Sequence, residues 1–244
     1  MKFLVPALLI LTFAVPAAHA DDAPMQKHKF NIPPSAELSY VIRARQSGFP
    51  IDGKAMVHWT VSGKRYAVAN EARAPLFGKV LDSKSEGEID EYGLAPLVFA
   101  EKRFRRDATT TSFDRDTHTI HFSIGDLTYP IKGGEQDRNS AIWQLISVAR
   151  AAPSRFKPGT DWTFFVAGQR DAEPWTFKVM SQEKLDTPLG EVSTLHVVKA
   201  PPPDSKDQQV DIWLGPRQEW YPVRLRYTDA DGDFIEQTLE QIRH

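Results

Sequence analysis

The residues best suited to metal chemistry lie in one short charged segment. Asp114, Asp116, His118 and His121 lie close together in the chain, and imidazole with carboxylate is a ligand set that zinc accepts. On a strand, however, His118 and His121 are three positions apart and point to opposite faces. The two aspartates are of a type that favours turns. We therefore predict neither a metal site nor a cofactor.

A row of carboxylates is the candidate for acid–base chemistry. Glu86, Glu88 and Asp90 share one face of a predicted strand, and paired carboxylates can act as general acid and base. The basic run at residues 102–106 belongs to the next predicted strand, so cross-strand ion pairs explain the acids without an active site. The chain contains no G-x-S-x-G elbow and no phosphate-binding loop. We predict no catalytic residues and no enzyme, with a triad assembled only in space as the open alternative.

Two pairs of arginines could bind an anion. Arg43 with Arg45, and Arg224 with Arg226, each place two guanidinium groups on one strand face. If the first and last strands are neighbours, the four side chains form an anion site for phosphate or carboxylate head groups. The alternative is a set of solvent-facing arginines that pair with Glu236 and Glu240.

The first twenty residues predict export. Lys2 precedes an apolar run at residues 3–15, and Ala18-His19-Ala20 forms a cleavage signal. We predict cleavage after Ala20 and a soluble periplasmic protein, with an uncleaved N-terminal anchor as the alternative. No later segment is apolar enough to span a membrane. The chain has no cysteine, and its 30 basic and 32 acidic residues nearly balance, which argues against a nucleic-acid partner.

Alternating apolar and polar residues predict that most of the chain is β-strand. We expect a loose N-terminal arm at residues 21–34 and a single β-rich domain at residues 35–244. The connections are short, so the sheet should be antiparallel. About ten strands would have to curl, so the predicted fold is mainly β: one strongly curved antiparallel sheet, a half-barrel.

One helix is predicted, over residues 136–152, with Asp137 or Asn139 as its N-cap and Pro153 just beyond its end. It is apolar almost all the way round, so it must be buried on several sides. We place it at the centre of the half-barrel, where an apolar ligand could lie between helix and sheet. The predicted lining residues are Ile142, Trp143, Leu145, Ile146, Trp162, Phe164, Trp175 and Phe177.

Three segments resemble the DUF3108 family of bacterial exported proteins. They are the G-x-I-x-x-x-G-L-x-P segment from Gly87 to Pro96, the run Gln136-Asp137-Arg138, and Trp-Leu-Gly-Pro from Trp213 to Pro216. The resemblance covers residues 35–242, and because the function of the family is unknown it implies no catalytic residues. The general pattern is also similar to the curved sheet of the LolA/LolB lipoprotein carriers, an analogy of fold alone.

These observations predict a non-catalytic module of the cell envelope. The first hypothesis is that it binds an apolar or lipid-like ligand between the helix and the concave sheet. The second is that it is a scaffold that contacts another envelope protein through its sheet edges or through the loop at residues 201–209.

Overall fold

The computed structural model describes residues 26–201 and 207–244; the predicted export segment lies outside them. In these residues the structure has fifteen strands, one α-helix and a short 3₁₀ helix at Pro153–Arg155. The elements are β1 Ala36–Gln46, β2 Phe49–Ser62, β3 Arg65–Ala74, β4 Gly78–Asp90, β5 Gly93–Arg103, β6 Thr109–Asp114, β7 Thr119–Phe122, β8 Thr128–Pro130, β9 Gln136–Asp137, α1 Ser140–Ala151, β10 Asp161–Ala167, β11 Ala172–Thr187, β12 Gly190–Lys199, β13 Gln209–Leu214, β14 Pro222–Thr228 and β15 Phe234–Arg243.

All the strands belong to one sheet, in the order β8-β7-β6-β5-β4-β3-β2-β1-β15-β14-β13-β12-β11-β10-β9. Nearly every neighbouring pair is antiparallel, as predicted, but β9 pairs with β10 in parallel. The prediction of about ten strands was wrong. Two of the extra strands, β8 and β9, have three and two residues, too few for an alternating pattern to be recognised.

The sheet curves around α1. Side chains from strands far apart in the sheet, such as Leu38 of β1, Val68 of β3 and Ile212 of β13, join the side chains of α1 in one buried cluster. A flat sheet could not bring these strands to one helix. Because successive residues of a strand point to opposite faces, the burial of β1 alternates strictly from Ala36 to Ile42.

The helix is shorter than predicted. It begins at Ser140 instead of Gln136, because Gln136 and Asp137 form β9. Its predicted end is confirmed, since Ala151 is its last residue and Pro153 follows. Nine of its twelve residues are buried, and they include the polar Ser140, Gln144 and Ser147. The helix is therefore enclosed on several sides, as its all-round apolar pattern required.

The two edges of the sheet approach each other without pairing. Phe113 and Ile120, from β6 and β7, pack with Ala167 and Ala172, from β10 and β11, in a second small core. The rings of Tyr129 on β8 and Phe165 on β10 lie 5.7 Å apart. The half-barrel is thus closed along this side by side-chain packing, which we call the seam, and the sheet itself stays open.

The described part of the N-terminal arm is attached to the domain and differs from the loose segment expected. The amide of Asn31 donates to the carbonyl of Ser147 in α1 at 2.8 Å. The carbonyls of Pro33 and Pro34 accept hydrogen bonds from the Trp59 indole and the Tyr221 hydroxyl at 3.1 and 2.7 Å. In the sequence the two prolines mark the end of the arm, and in the structure their carbonyls accept these hydrogen bonds.

Candidate functional site

The interface between α1 and the sheet is filled by side chains. The indoles of Trp143 and Trp59 stack with ring centroids 4.1 Å apart and an interplanar angle of 8°. Leu145 and Ile146 are 0% exposed, and Ile142 is half-buried against the same cluster. The four predicted lining residues of α1 therefore do come together with the sheet, and they lie in close-packed contact with it.

The four predicted lining residues of β10 and β11 form the adjoining wall. Trp162, Phe164 and Phe177 are buried in the same core, and Trp162 stacks on Phe156 at 4.7 Å. Trp175 is only half-buried. Its indole nitrogen donates to Glu173 at 2.9 Å, and the Lys199 ammonium lies 4.8 Å from its ring centroid.

Two cavities lie at the surface of the described part of the chain, and neither reaches the centre of this interface. One, of about 530 Å³, is an open depression at the end of α1, lined by Lys27, His28, Lys29, Phe30, Glu91 and Ala151. The other, of about 290 Å³, lies over β11 and β12 and is lined by Gln182, Glu183, Lys184, Ser193, Thr194, Leu195 and Pro216.

A buried polar cluster surrounds the start of α1. Asp137 is fully buried, and its carboxylate accepts hydrogen bonds from the backbone amides of Asn139 and Ser140 at 2.8 and 2.9 Å. The Ser85 hydroxyl donates to it at 2.5 Å. Asn139 occupies the N-cap position but its own side chain makes no capping bond. Asp137 therefore supplies the acceptor that the helix start requires.

Burial raises the pKa of Asp137 to about 6 from its ordinary value of 3.8, and the hydrogen bonds from Ser85, Ser140 and Asn139 oppose the rise. The contribution of this group to stability is therefore largest below pH 3.8 and is lost as the pH rises through about 6. In that window the unfolded chain releases the proton and the folded chain keeps it. Ionised Asp137 thus costs stability at neutral pH.

We expect Asp137→Asn to remove this dependence. The wild-type protein should lose about 2–3 kcal/mol of unfolding free energy from this group between pH 4 and pH 7, and the variant should not. The asparagine oxygen can still accept from the two amides. Urea unfolding of both proteins across this range measures the difference, and equal pH slopes would contradict the assignment.

Two of the three family-like segments, at residues 87–96 and 136–138, meet beside this cluster. The side-chain amide of Gln144 accepts from the backbone of Leu94 at 2.9 Å and donates to the carbonyl of Tyr92 at 2.8 Å. The Gln136 amide donates to the carbonyl of Leu94 at 2.7 Å. Gly93, with φ of +112°, leaves no room for a β-carbon, which would lie 2.4 Å from Gln144 Oε1. These residues fasten the β4–β5 hairpin to α1.

The two arginine pairs do not form one open anion site. The strand β15 lies between β1 and β14, and the carboxylate of Glu236 on it contacts Arg224 and Arg226 at 3.7 and 3.5 Å. Arg43 is opposite Glu236 in the register. The Glu236 carboxylate therefore occupies the position at which the anion was predicted to bind. Its ion pairs with Arg224 and Arg226 explain the two arginines of β14.

A histidine cluster on the convex face was missed from the sequence. Nε2 of His196 lies 2.9 Å from Asp211, and Nδ1 lies 3.2 Å from Glu183. The ring stacks on Trp213 at 4.4 Å, and the Trp213 indole donates to Glu183 at 2.8 Å. Both ring nitrogens already have carboxylate partners, so neither is free to bind a metal or to activate a nucleophile. Only the register of β11, β12 and β13 reveals this cluster.

The acidic candidates have structural explanations in the described residues. Asp114 accepts from the amides of Asp116 and Thr117 at 2.9 and 3.0 Å, which is an Asx turn as predicted. The cross-strand pairing of residues 86–90 with the basic run was wrong. The hairpin places Glu88 opposite Ala95, and Arg103 opposite Leu81. Among the described residues no group of three or more histidine or acidic side chains could hold a metal.

Comparisons with solved structures show the fold. The chain is similar to a β-barrel-like protein of domain of unknown function DUF1849 from Brucella abortus, with 11% identity and a TM-score of 0.56, over 87% of this chain and 98% of that chain. It is also similar to a putative lipoprotein from Parabacteroides distasonis, with 11% identity and a TM-score of 0.35, over 89% and 99% of the two chains.

A lipoprotein-sorting domain is also among the similar structures. A putative outer membrane lipoprotein-sorting protein domain from Vibrio parahaemolyticus has 7% identity and a TM-score of 0.29, over 86% of this chain and 85% of that chain. Of these three structures the DUF1849 protein has the highest TM-score, and at 11% identity the likeness concerns the fold alone. A search of curated proteins found no significant match.

The family resemblance is confirmed. The model of DUF3108, a protein family of unknown function, matches residues 37–240, which is nearly the whole domain. The chain therefore belongs to the DUF3108 family.

Proposed function

We propose that the protein is a non-catalytic module of the bacterial cell envelope that acts by binding through its surface. The observation that supports this proposal best is the filled interior, in which Leu145, Ile146 and Ala149 of α1 are 0% exposed. A half-barrel filled by its own helix has its turns, its edge strands and its convex face left for partners. The predicted signal segment at residues 1–20 supports a place in the envelope, and no helix among the described residues is long and apolar enough to cross a membrane.

The edge strands are one surface that suits a protein partner. β8 ends the sheet on one side, so among the described residues one of its edges has no neighbouring strand. Such an edge can pair with an extended segment of another chain. It has only three residues, which limits unspecific pairing. The predicted loop at residues 201–209 is a second candidate surface, and its residues 202–206 lie outside the described part of the chain.

Cell fractionation with site-specific photo-cross-linking tests this proposal. We expect the chain to be recovered from the periplasm without residues 1–20. A photo-reactive residue in place of Thr128, which is exposed on β8, should give one reproducible cross-linked species. Lys178 is exposed on β11, whose two edges are paired, and a probe there is the matched control. Recovery in the cytoplasm, or equal cross-linking from both positions, would contradict the proposal.

A second candidate is an apolar ligand that enters between α1 and the sheet. The seam favours it, because separating β6 and β7 from β10 and β11 would break side-chain contacts without breaking strand pairing. Three buried donors also have no acceptor in the described part of the chain: Arg138 Nε, Arg150 Nε and Trp162 Nε1. Unpaired buried donors are costly, and an oxygen of a ligand would satisfy them.

A fluorescent apolar probe separates the two candidates. N-phenylnaphthylamine becomes bright when it enters an apolar site. The filled interior predicts no saturable increase in its fluorescence on addition of the native protein. A saturable increase with one site per chain would favour the ligand-binding candidate and would mean that the seam opens in solution.

A further inference from the structure

The strand order places four turns side by side at one end of the half-barrel. β1 to β8 follow one another in the sheet, each antiparallel to the next. The turns that follow β1, β3, β5 and β7 therefore share one end. Alternate strands are about 10 Å apart, so the four turns form a row about 30 Å long.

This end carries most of the exposed large apolar side chains. Among the described residues there are eight such side chains, and six of them belong to these four turns or to the first residue beyond one. We call these six the apolar rim. They are Phe49 (72% exposed), Leu76 (91%), Phe77 (46%), Phe104 (41%), Ile124 (39%) and Leu127 (55%).

The members of the apolar rim project from four turns, and one pair of them meets across neighbouring turns. The rings of Phe77 and Phe104, from the turns after β3 and β5, meet at 5.5 Å in an edge-to-face arrangement. Nothing in the described residues covers Leu76, and a leucine that is 91% exposed contributes no burial to the fold. A row of such side chains indicates an interaction site.

Positive charge accompanies the apolar rim. Within two residues of these turns, the described structure leaves four cations without an ion pair, Arg45, Lys102, Arg105 and Arg106, against two acids without one, Asp107 and Asp126. The remaining cations there are neutralised, as Lys79 is by Glu71 and Asp82 at 2.7 and 2.8 Å. Arg105 lies 5.0 Å above the ring of Phe104.

A separate group of acidic side chains lies beside this row. The turn between β14 and β15 contains Asp229, Asp231 and Asp233, and β15 is the neighbour of β1 on the side away from β2. The end of the half-barrel is thus divided into the apolar and basic row, from β1 to β8, and an acidic turn beside it. An anionic surface would meet the first part and avoid the second.

We propose that the apolar rim docks the protein on an anionic lipid surface. Phenylalanine, leucine and isoleucine side chains enter the boundary between head groups and acyl chains, and the unpaired arginines contact the lipid phosphates. The proposal deepens the proposed function, on which it rests, because it names the partner class of one surface.

A lipid surface suits this geometry better than a protein groove. The six side chains are spread along a row of about 30 Å on four turns. A bilayer accepts each of them independently, whereas a protein partner would need a matching depression for each. The flanking arginines find phosphates anywhere on an anionic surface.

Vesicle flotation tests this proposal. Protein purified after export, with its mass checked for the loss of residues 1–20, is mixed with vesicles of phosphatidylcholine and phosphatidylglycerol in a 7:3 ratio. We expect the wild type to float with the vesicles. Leu76→Ser with Phe104→Ser should weaken partitioning at least about tenfold. Met180→Ser with Leu189→Ser, which changes the two exposed apolar residues outside the rim, should leave it unchanged.

Insertion is measured directly with an environment-sensitive label. The chain has no cysteine, so Leu76→Cys and Leu189→Cys each give a single site for a nitrobenzoxadiazole dye. The dye at position 76 should shift to shorter wavelength with these vesicles, and the dye at position 189 should not. Absence of flotation, or equal response from both dyes, overturns the proposal. Neither result bears on the envelope-module proposal, which the fractionation and cross-linking experiment tests separately. Failure of lipid docking can therefore be distinguished from failure of the proposed function.

Discussion

Replacing Trp143 with alanine is expected to lower the free energy of unfolding by about 3–5 kcal/mol. Trp143 joins α1 to the sheet, since its indole stacks on Trp59 and meets the ring of Tyr221 edge-to-face at 5.8 Å. Its removal leaves a large cavity where the helix is enclosed, and the surrounding strands are fixed by pairing and cannot collapse into the space. Urea unfolding followed by circular dichroism gives the change.

Trp175→Ala is the matched control for this variant. Trp175 is half-buried, with Lys199 and Glu173 around its indole, so its loss should cost much less than the loss of Trp143. Equal destabilisation by the two substitutions would contradict the central position of α1. A small effect of Trp143→Ala alone would mean that the helix is loosely held and that the half-barrel has room for a ligand.

Gly87→Ala should also cost about 3 kcal/mol or more. A β-carbon at Gly87 would lie 2.2 Å from the carbonyl oxygen of Ala95 on the neighbouring strand. A backbone atom cannot rotate away as a side chain can, so the β4–β5 pairing must shift. This hairpin is the one that Gln136 and Gln144 fasten to α1, and the strain would reach the helix.

Gly190→Ala separates this clash from the ordinary cost of replacing a glycine. Gly190 has φ of +90° and open space around the position of a β-carbon, so its replacement should cost about 1–2 kcal/mol. Thermal unfolding of both variants measures the difference. If Gly87→Ala were no more destabilising than Gly190→Ala, the assigned register of β4 and β5 would be wrong.

Alternation and helix periodicity were enough to predict the half-barrel and its central helix. The turn at Gly63 joins β2 to β3, and the turn before Phe234 joins β14 to β15. In both, glycine or aspartate lies between two alternating segments, which is a sequence signal for a hairpin. The two-residue β9 could not be predicted. The sequence assigns Gln136 and Asp137 to the first turn of the predicted apolar helix, and only their pairing with Val166 and Ala167 makes them a strand.

Periodicity indicated which face of a helix or strand each predicted site residue lies on. It did not indicate what surrounds each side chain. The period of the helix placed Trp143, Leu145 and Ile146 inside, but it could not show whether they line a space or fill one. That depends on the volumes of partners such as Trp59, which is distant in sequence. Trp175 lies on the same strand face as Phe177, but it is only half-buried, at the margin of the core.

Two clusters depend on long-range register. One is the pairing of Arg224 and Arg226 with Glu236, which the sequence offered as the alternative to an anion site. The other, the contacts of His196 with Glu183 and Asp211, was missed. Both join residues whose strands are paired only in the folded sheet. A one-residue change of register would turn each of these side chains to the other face. No local pattern in a single sequence determines such a register, so these clusters appear only with the structure.

Native mass spectrometry of the protein purified from the periplasm without detergent tests the filled interior most directly. After a salt wash to remove material held at the surface, we predict a single species with the mass of the chain alone. A reproducible adduct of constant mass, one per chain, that solvent extraction releases would contradict this account. Such an adduct would show that α1 and the sheet separate to enclose a ligand, and its mass would indicate the chemical class of that ligand.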